Sequence, residues 1–251
     1  MSSTPPADYP GCPVTVELAE EAGVALRPPR WSLWDSWIML GGALVLLAVV
    51  AVMVHLLHAP MAVVVLSGTL VPWVMLVGWP IIATRLRGNG LVIDLGIRLT
   101  WRDVGMGLAG GVVSFAVAGA LAAVSAWIFG DFSSSAGDAA AELADSAGRP
   151  LVVVFAFMLA LGAPVVEEIA FRGLLFAGLR KHGFSPLVTI ALSALVFALF
   201  HFEPARILVV GGIGLVLGFL RWRTGALGAG MIAHCVNNLP AAIVVAAGLS
   251  G

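Results

Sequence analysis

From about residue 36 onward the chain is a series of long apolar runs, and short breaks between them hold most of its charged residues. The runs cover about 36–58, 61–83, 103–129, 150–180, 186–202, 205–221 and 225–248. An α-helix rises ~1.5 Å per residue, so ~20 apolar residues suffice to cross ~30 Å of hydrocarbon. Most of the runs meet that length. Two fit poorly: the fifth is short, and the fourth is long and contains Glu167, Glu168 and Arg172. Pro164 lies inside the fourth run and either kinks it or starts a new helix, which would raise seven spans to eight. The pattern predicts an all-α fold, a polytopic transmembrane bundle of about seven to eight helices.

Composition narrows the picture. Of 251 residues, 60% are hydrophobic and 11% charged, with a net charge of −1 and a mean hydropathy of +1.04. An average soluble domain carries about 25% charge, so a soluble enzyme is excluded. With a single Lys and no clustered basic surface, no nucleic-acid partner is expected. Cys12 and Cys235 lie far apart in sequence and suggest neither a disulfide framework nor a Cys-rich metal site. Residues 1–30 are polar and rich in Pro, without an apolar stretch after a basic start, and read as a disordered extension rather than a secretory signal.

The breaks alternate in charge. One set holds Arg27, Arg30, Arg85, Arg87, Arg98, Arg102, Arg180, Lys181, Arg221 and Arg223; the opposite set holds Arg149 and Arg206 beside Asp131, Asp138, Glu142, Asp145 and Glu203. By the positive-inside rule the N-terminus is cytoplasmic. Trp31, Trp34, Trp37, Trp79, Trp101, Trp127 and Trp222 fall near span ends, where interfacial anchors are expected. Gly107/Gly111 and Gly214/Gly218 have the small-xxx-small spacing of closely packed membrane helices.

Ionisable residues inside such spans cost about 2.5–3.5 kcal/mol each near the bilayer centre, so each calls for a reason. Glu168 and Arg172 are i and i+4 on one helix face, with the acid N-terminal to the base. Glu167 is turned about 100° away. Arg172 can therefore neutralise Glu168 and leave Glu167 free to face a cavity as a base. A purely structural ion cluster is the alternative. His234 and Asn238 are again i and i+4, two N–H donors suited to a developing oxyanion or to an interhelical clamp. Asn237 and Cys235 are expected on other faces, without a role. His201 follows Phe197 by four, so that ring should pack against the imidazole. Counting ~1.5 Å per residue from the cytoplasmic ends, Glu167, His201, His234 and Asn238 share a layer ~9 Å thick. Scattered structural polar residues would not be expected to share a depth.

Three motifs result: Glu167-Glu168-Ile169-Ala170-Phe171-Arg172 (EExxxR), Phe197 to His201 (FxxxH) and His234 to Asn238 (HxxxN). In order and spacing they resemble the CPBP family, which comprises the type II CAAX prenyl endopeptidases and the bacteriocin-processing or Abi proteins. The resemblance covers about 90–248, with the motifs in 164–240. It implies that Glu167 activates water with help from His201, that His234 and Asn238 form the oxyanion site, and that Glu168 and Arg172, with Phe197, support the centre. It favours metal-independent glutamate chemistry with no cofactor. Zn²⁺ is the alternative, with Glu167, His201 and His234 as ligands.

The sequence thus divides into a disordered cytoplasmic tail (1–33), two N-terminal transmembrane helices (34–84) and a CPBP-like protease core (85–248). The expected activity is that of an intramembrane endopeptidase cutting a membrane-associated peptide or membrane protein, embedded in lipid of a bacterial plasma membrane. A proton-coupled transporter and a non-catalytic immunity or scaffold protein are the alternatives.

Overall fold

The computed structural model describes residues 12–248, which form ten helices and no strand. They are α1 (Pro13–Glu21), α2 (Leu33–Leu56), α3 (Met61–Arg87), α4 (Leu91–Leu95), α5 (Trp101–Phe129), α6 (Ser135–Ala147), α7 (Arg149–Lys181), α8 (Pro186–Phe200), α9 (Ile207–Thr224) and α10 (Gly228–Ala247). Residues α2, α3, α5, α7, the stretch leading into and through α9, and α10 supply six helices long and apolar enough to cross a bilayer. The shorter apolar α8 is the seventh of the expected runs. The chain is an integral membrane protein.

Local chemistry sets several helix starts. Ser32 and Asp35 form a capping box on α2, and Thr100 and Asp103 another on α5, each satisfying backbone N–H groups that the first turn leaves unpaired. Pro186 opens α8 just after Ser185, whose hydroxyl accepts from Val188 N–H. With 15 residues, α8 is only ~22 Å long. It stops at His201, and Phe202 turns the chain with a left-handed φ of 54°. A 3₁₀ turn (Pro204–Arg206) then leads into α9.

The bundle has an inner and an outer layer. The apolar windows of α7 and of Pro204–Thr224 are 39% and 50% buried, against 17%, 11% and 11% for α2, α3 and α5. The outer helices therefore turn most of their apolar surface outward, as lipid-facing helices do. The expected small-residue contacts are present. A Cβ on Gly107 or Gly111 would come within 2.6 or 2.5 Å of Ile232 or Val236 on α10. A Cβ on Gly214 or Gly218 of α9 would stand 3.0 or 3.2 Å from Ala194 or Ile190 on α8, a close but looser approach.

Two expectations are corrected and one open alternative is decided. Residues 12–33 are not a disordered tail. Helix α1 docks on the α4 region, with Cys12 Sγ donating to Asp94 O (2.8 Å) and Thr15 Oγ1 to Ile93 O (2.9 Å). Residues 1–11 lie outside the described residues. Trp31 is buried rather than interfacial, its indole N–H donating to the Asp94 carboxylate at 2.8 Å. Trp34, Trp101 and Trp127 are exposed, as anchors should be. Finally, Pro164 does not start a fresh helix: α7 passes through it unbroken, and the described residues hold six helices long enough to cross a bilayer together with the shorter α8.

Candidate active site

Helix α7 carries the two adjacent glutamates and has unusual windings. Two π-helical segments, Met158–Gly162 and Glu168–Leu175, flank the α-helical stretch Ala163–Glu167. Such wide turns are rare and recur at functional sites. Beyond Glu167, the consecutive residues Glu168 to Leu175 are all buried. Glu168 and Arg172 have no exposure and pair at 3.1 Å. The Arg172 guanidinium also donates to Gly214 O (3.1 Å) and lies 4.2 Å from the centre of the Phe197 ring. Gly230 on α10 makes room for Glu168: a Cβ there would stand 2.6 Å from Glu168 Oε2. Glu167, one residue earlier, keeps 19% of its side chain exposed.

His234 lies between the two carboxylates. Its Nε2 is 3.6 Å from Glu167 Oε2 and its Nδ1 3.4 Å from Glu168 Oε1. Phe197, wholly buried, joins the groups laterally: His201 packs edge-on at 4.6 Å between ring centroids and His234 at 5.8 Å. His201 Nδ1 is 2.8 Å from Phe197 O. With Nδ1 donating to that carbonyl, Nε2 is left as the acceptor nitrogen. The expected packing of Phe197 on His201 is observed.

Asn238 is held by a feature of α7 itself. Within the first π turn the Ala163 N–H bonds to Met158 O, five residues back. The Leu159 carbonyl would next meet the N–H of residue 164, which is a proline and has none. Asn238 Nδ2 donates to Leu159 O instead, at 3.1 Å. Asn237, expected to play no part, orients that amide. Its Nδ2 donates to Asn238 Oδ1 (3.2 Å), and its own Oδ1 accepts from Ser114 on α5 (3.2 Å). A count of 100° per residue placed Asn237 on a different face, but the space is wide enough that both Asn residues border it.

These groups line a cavity of about 230 Å³ bounded by Leu159, Ala163, Glu167, Phe197, His201, His234, Asn237 and Asn238. Its rim is polar and includes Ser134, Ser135, Glu203 and Arg206. Glu203 accepts from Ser135 N (2.7 Å) and Oγ (2.6 Å) and from Arg206 (2.6 Å). Burial works to raise the Glu203 carboxyl, but these donors and the Arg206 charge outweigh it and hold it below the usual carboxylate range. A second, more apolar cavity of about 220 Å³ runs between α2, α3 and α7 past Leu47, Gly68, Pro72 and Trp73. Glu167, His201, Leu159 and Ala163 border both spaces.

Among the described residues, no three His, Cys, Asp or Glu side chains are gathered so as to hold a metal ion. The alternative Zn²⁺ set Glu167, His201 and His234 is thus not drawn together as arranged, although His201, with Nδ1 on a backbone carbonyl, keeps Nε2 as a nitrogen able to ligate.

Residues 149–240 match the model of a family described as Type II CAAX prenyl endopeptidase Rce1-like. The match is consistent with a CPBP family intramembrane protease, and it spans every site residue above from Glu167 to Asn238. No curated protein and no solved structure matches the chain.

Proposed function

We propose that the chain is an intramembrane endopeptidase with Glu167 as general base. The observation that carries this reading is the contrast between two neighbours. Glu168 is withdrawn into a buried ion pair, while Glu167 borders a cavity that His201, His234 and Asn238 also line. A water between Glu167 and His201 Nε2 has an acceptor for each of its protons. Glu167 takes one proton as the water oxygen attacks the peptide carbonyl carbon, and the carbonyl oxygen becomes an oxyanion. N–H groups of Asn238 and His234 stabilise that charge. The tetrahedral species collapses by breaking the C–N bond, and Glu167 passes its proton to the leaving amine. One water is consumed per bond cut, and the carboxylate is regenerated.

The apolar second cavity supports a substrate that is itself membrane-associated, since it leads from Glu167 toward the outer helices α2 and α3. The test uses purified protein and a library of lipidated and membrane-spanning peptides. Glu167→Gln, nearly isosteric, is expected to abolish cleavage with folding and insertion unchanged, and Asn238→Ala to reduce the rate about 10²–10³-fold, the loss typical of one oxyanion donor. Full activity in Glu167→Gln would refute the mechanism. In the same preparations, cleavage that persists after chelator treatment separates glutamate from zinc chemistry.

A further inference from the structure

The cavity has a direction. On α7 its lining residues run from Glu167 through Ala163 to Leu159, toward Arg149. On α8 they run from Phe197 to His201 and on to Glu203; on α9, from Ile213 back to Arg206; on α10, from His234 to Ala241. All four helices thus carry the lining toward the same end of the bundle, where Ser134 and Ser135, at the start of α6, complete the rim. In the other direction the way is shut. Phe171, Arg172, Leu174, Leu175 and Phe176 are completely buried, and Arg221 closes against the Arg172 carbonyl at 2.9 Å. The two ends differ in charge. The rim end carries Asp131, Asp138, Glu142, Asp145 and Glu203 against Arg149 and Arg206, whereas the closed end carries the basic residues of the 84–103 connection and of Arg180-Lys181.

Basic residues in short loops mark the cytoplasmic side. We infer that the cavity opens away from the cytoplasm, so that the polypeptide it cuts is membrane-anchored and presents its scissile bond from the extracytoplasmic face. The substrate class rests on the endopeptidase reading; the direction of opening does not. Water and the polar part of the substrate reach Glu167 past Ser135 and Glu203, while an apolar anchor remains in the membrane.

The experiment places single reporter cysteines in the full-length protein, with Cys235→Ala to remove the half-buried thiol and the buried Cys12 kept. Ala144→Cys lies on the exposed face of α6, at the rim end, and Leu86→Cys is exposed at the closed end. A membrane-impermeant maleimide is expected to label Ala144→Cys in intact cells and not in sealed inverted vesicles, with the reverse for Leu86→Cys. An acyl-anchored fluorogenic peptide added outside right-side-out vesicles is expected to be cut, with loss of cutting in inverted ones. Labelling of Ala144→Cys only in inverted vesicles overturns the inference, as does cutting confined to inverted vesicles. If the labelling is as expected and the peptide is cut from neither side, it is the endopeptidase reading with its substrate class that fails, and the direction of opening stands.

Discussion

Glu167 and Glu168 have the same side chain and opposite circumstances. Their difference follows from the helix: a step of about 100° carries one toward open space and the other toward Arg172. That division was legible in the sequence, because the i, i+4 spacing of Glu168 and Arg172 required only a helix. The cost of the buried pair was not legible, since it depends on Phe197, Gly214 and Gly230, which come from other helices. Removing one partner of a buried ion pair strands the other charge and costs about 3–5 kcal/mol, whereas replacing both by apolar residues is often neutral. Arg172→Met is accordingly expected to lower the thermal unfolding temperature in detergent sharply, as is Glu168→Leu. The double variant should recover a large part of the loss. Independent, additive losses would show that the two charges do not compensate one another.

At the scale of elements, the apolar runs located the membrane helices within a few residues, because a run long enough to span lipid has few alternatives. The expected 150–180 became Arg149–Lys181, and 186–202 became Pro186–Phe200. The π turns were not legible, since they leave no periodic mark, and neither was α6, a short polar helix in what read as a connecting break. Pro164 signalled an interruption, but its effect is to free the Leu159 carbonyl for Asn238 rather than to end the helix. Pro164→Ala restores an N–H able to claim a carbonyl of the preceding turn. Cleavage is then expected to fall, by less than in Asn238→Ala, with thermal stability kept or raised; an unchanged rate would detach Asn238 from this turn. Helix α6 has its own dependence on pH. Because Glu203 is held below its ordinary range, its hold on Ser135 is complete above the unfolded value of about 4.3 and is lost as pH falls through the lower folded value. Hydrogen exchange in the first turn of α6 is expected to accelerate over that acidic window. Glu203→Gln should exchange fast at every pH.

At the scale of the whole molecule, the N-terminal segment is joined to the site through one side chain. Arg221 is fully buried, and its guanidinium donates through Nε to the Arg172 carbonyl and through Nη2 to Cys12 Sγ, both at 2.9 Å. Burial pushes the Cys12 thiol up against the opposing pull of Arg221, so the sulfur keeps its proton and donates it to Asp94 O. A neutral thiol thus accepts from one partner and donates to another, tying α1 to α4 and α9 together. No sequence pattern announced this, because a lone Cys in a Pro-rich stretch has no periodic context, and the partner lies 209 residues away. Leaving a buried donor unsatisfied costs about 1–3 kcal/mol, and more for a charged group. Cys12→Ala is therefore expected to lower thermal stability by at least that much and to speed hydrogen exchange over Pro13–Glu21. Cys12→Ser, whose hydroxyl can still accept and donate, should keep most of both. Since Arg221 also caps the carbonyl of Arg172, cleavage should fall in Cys12→Ala and be largely retained in Cys12→Ser. Equal losses in the two variants would mean that the volume of the sulfur, rather than its hydrogen bonds, holds the segment in place.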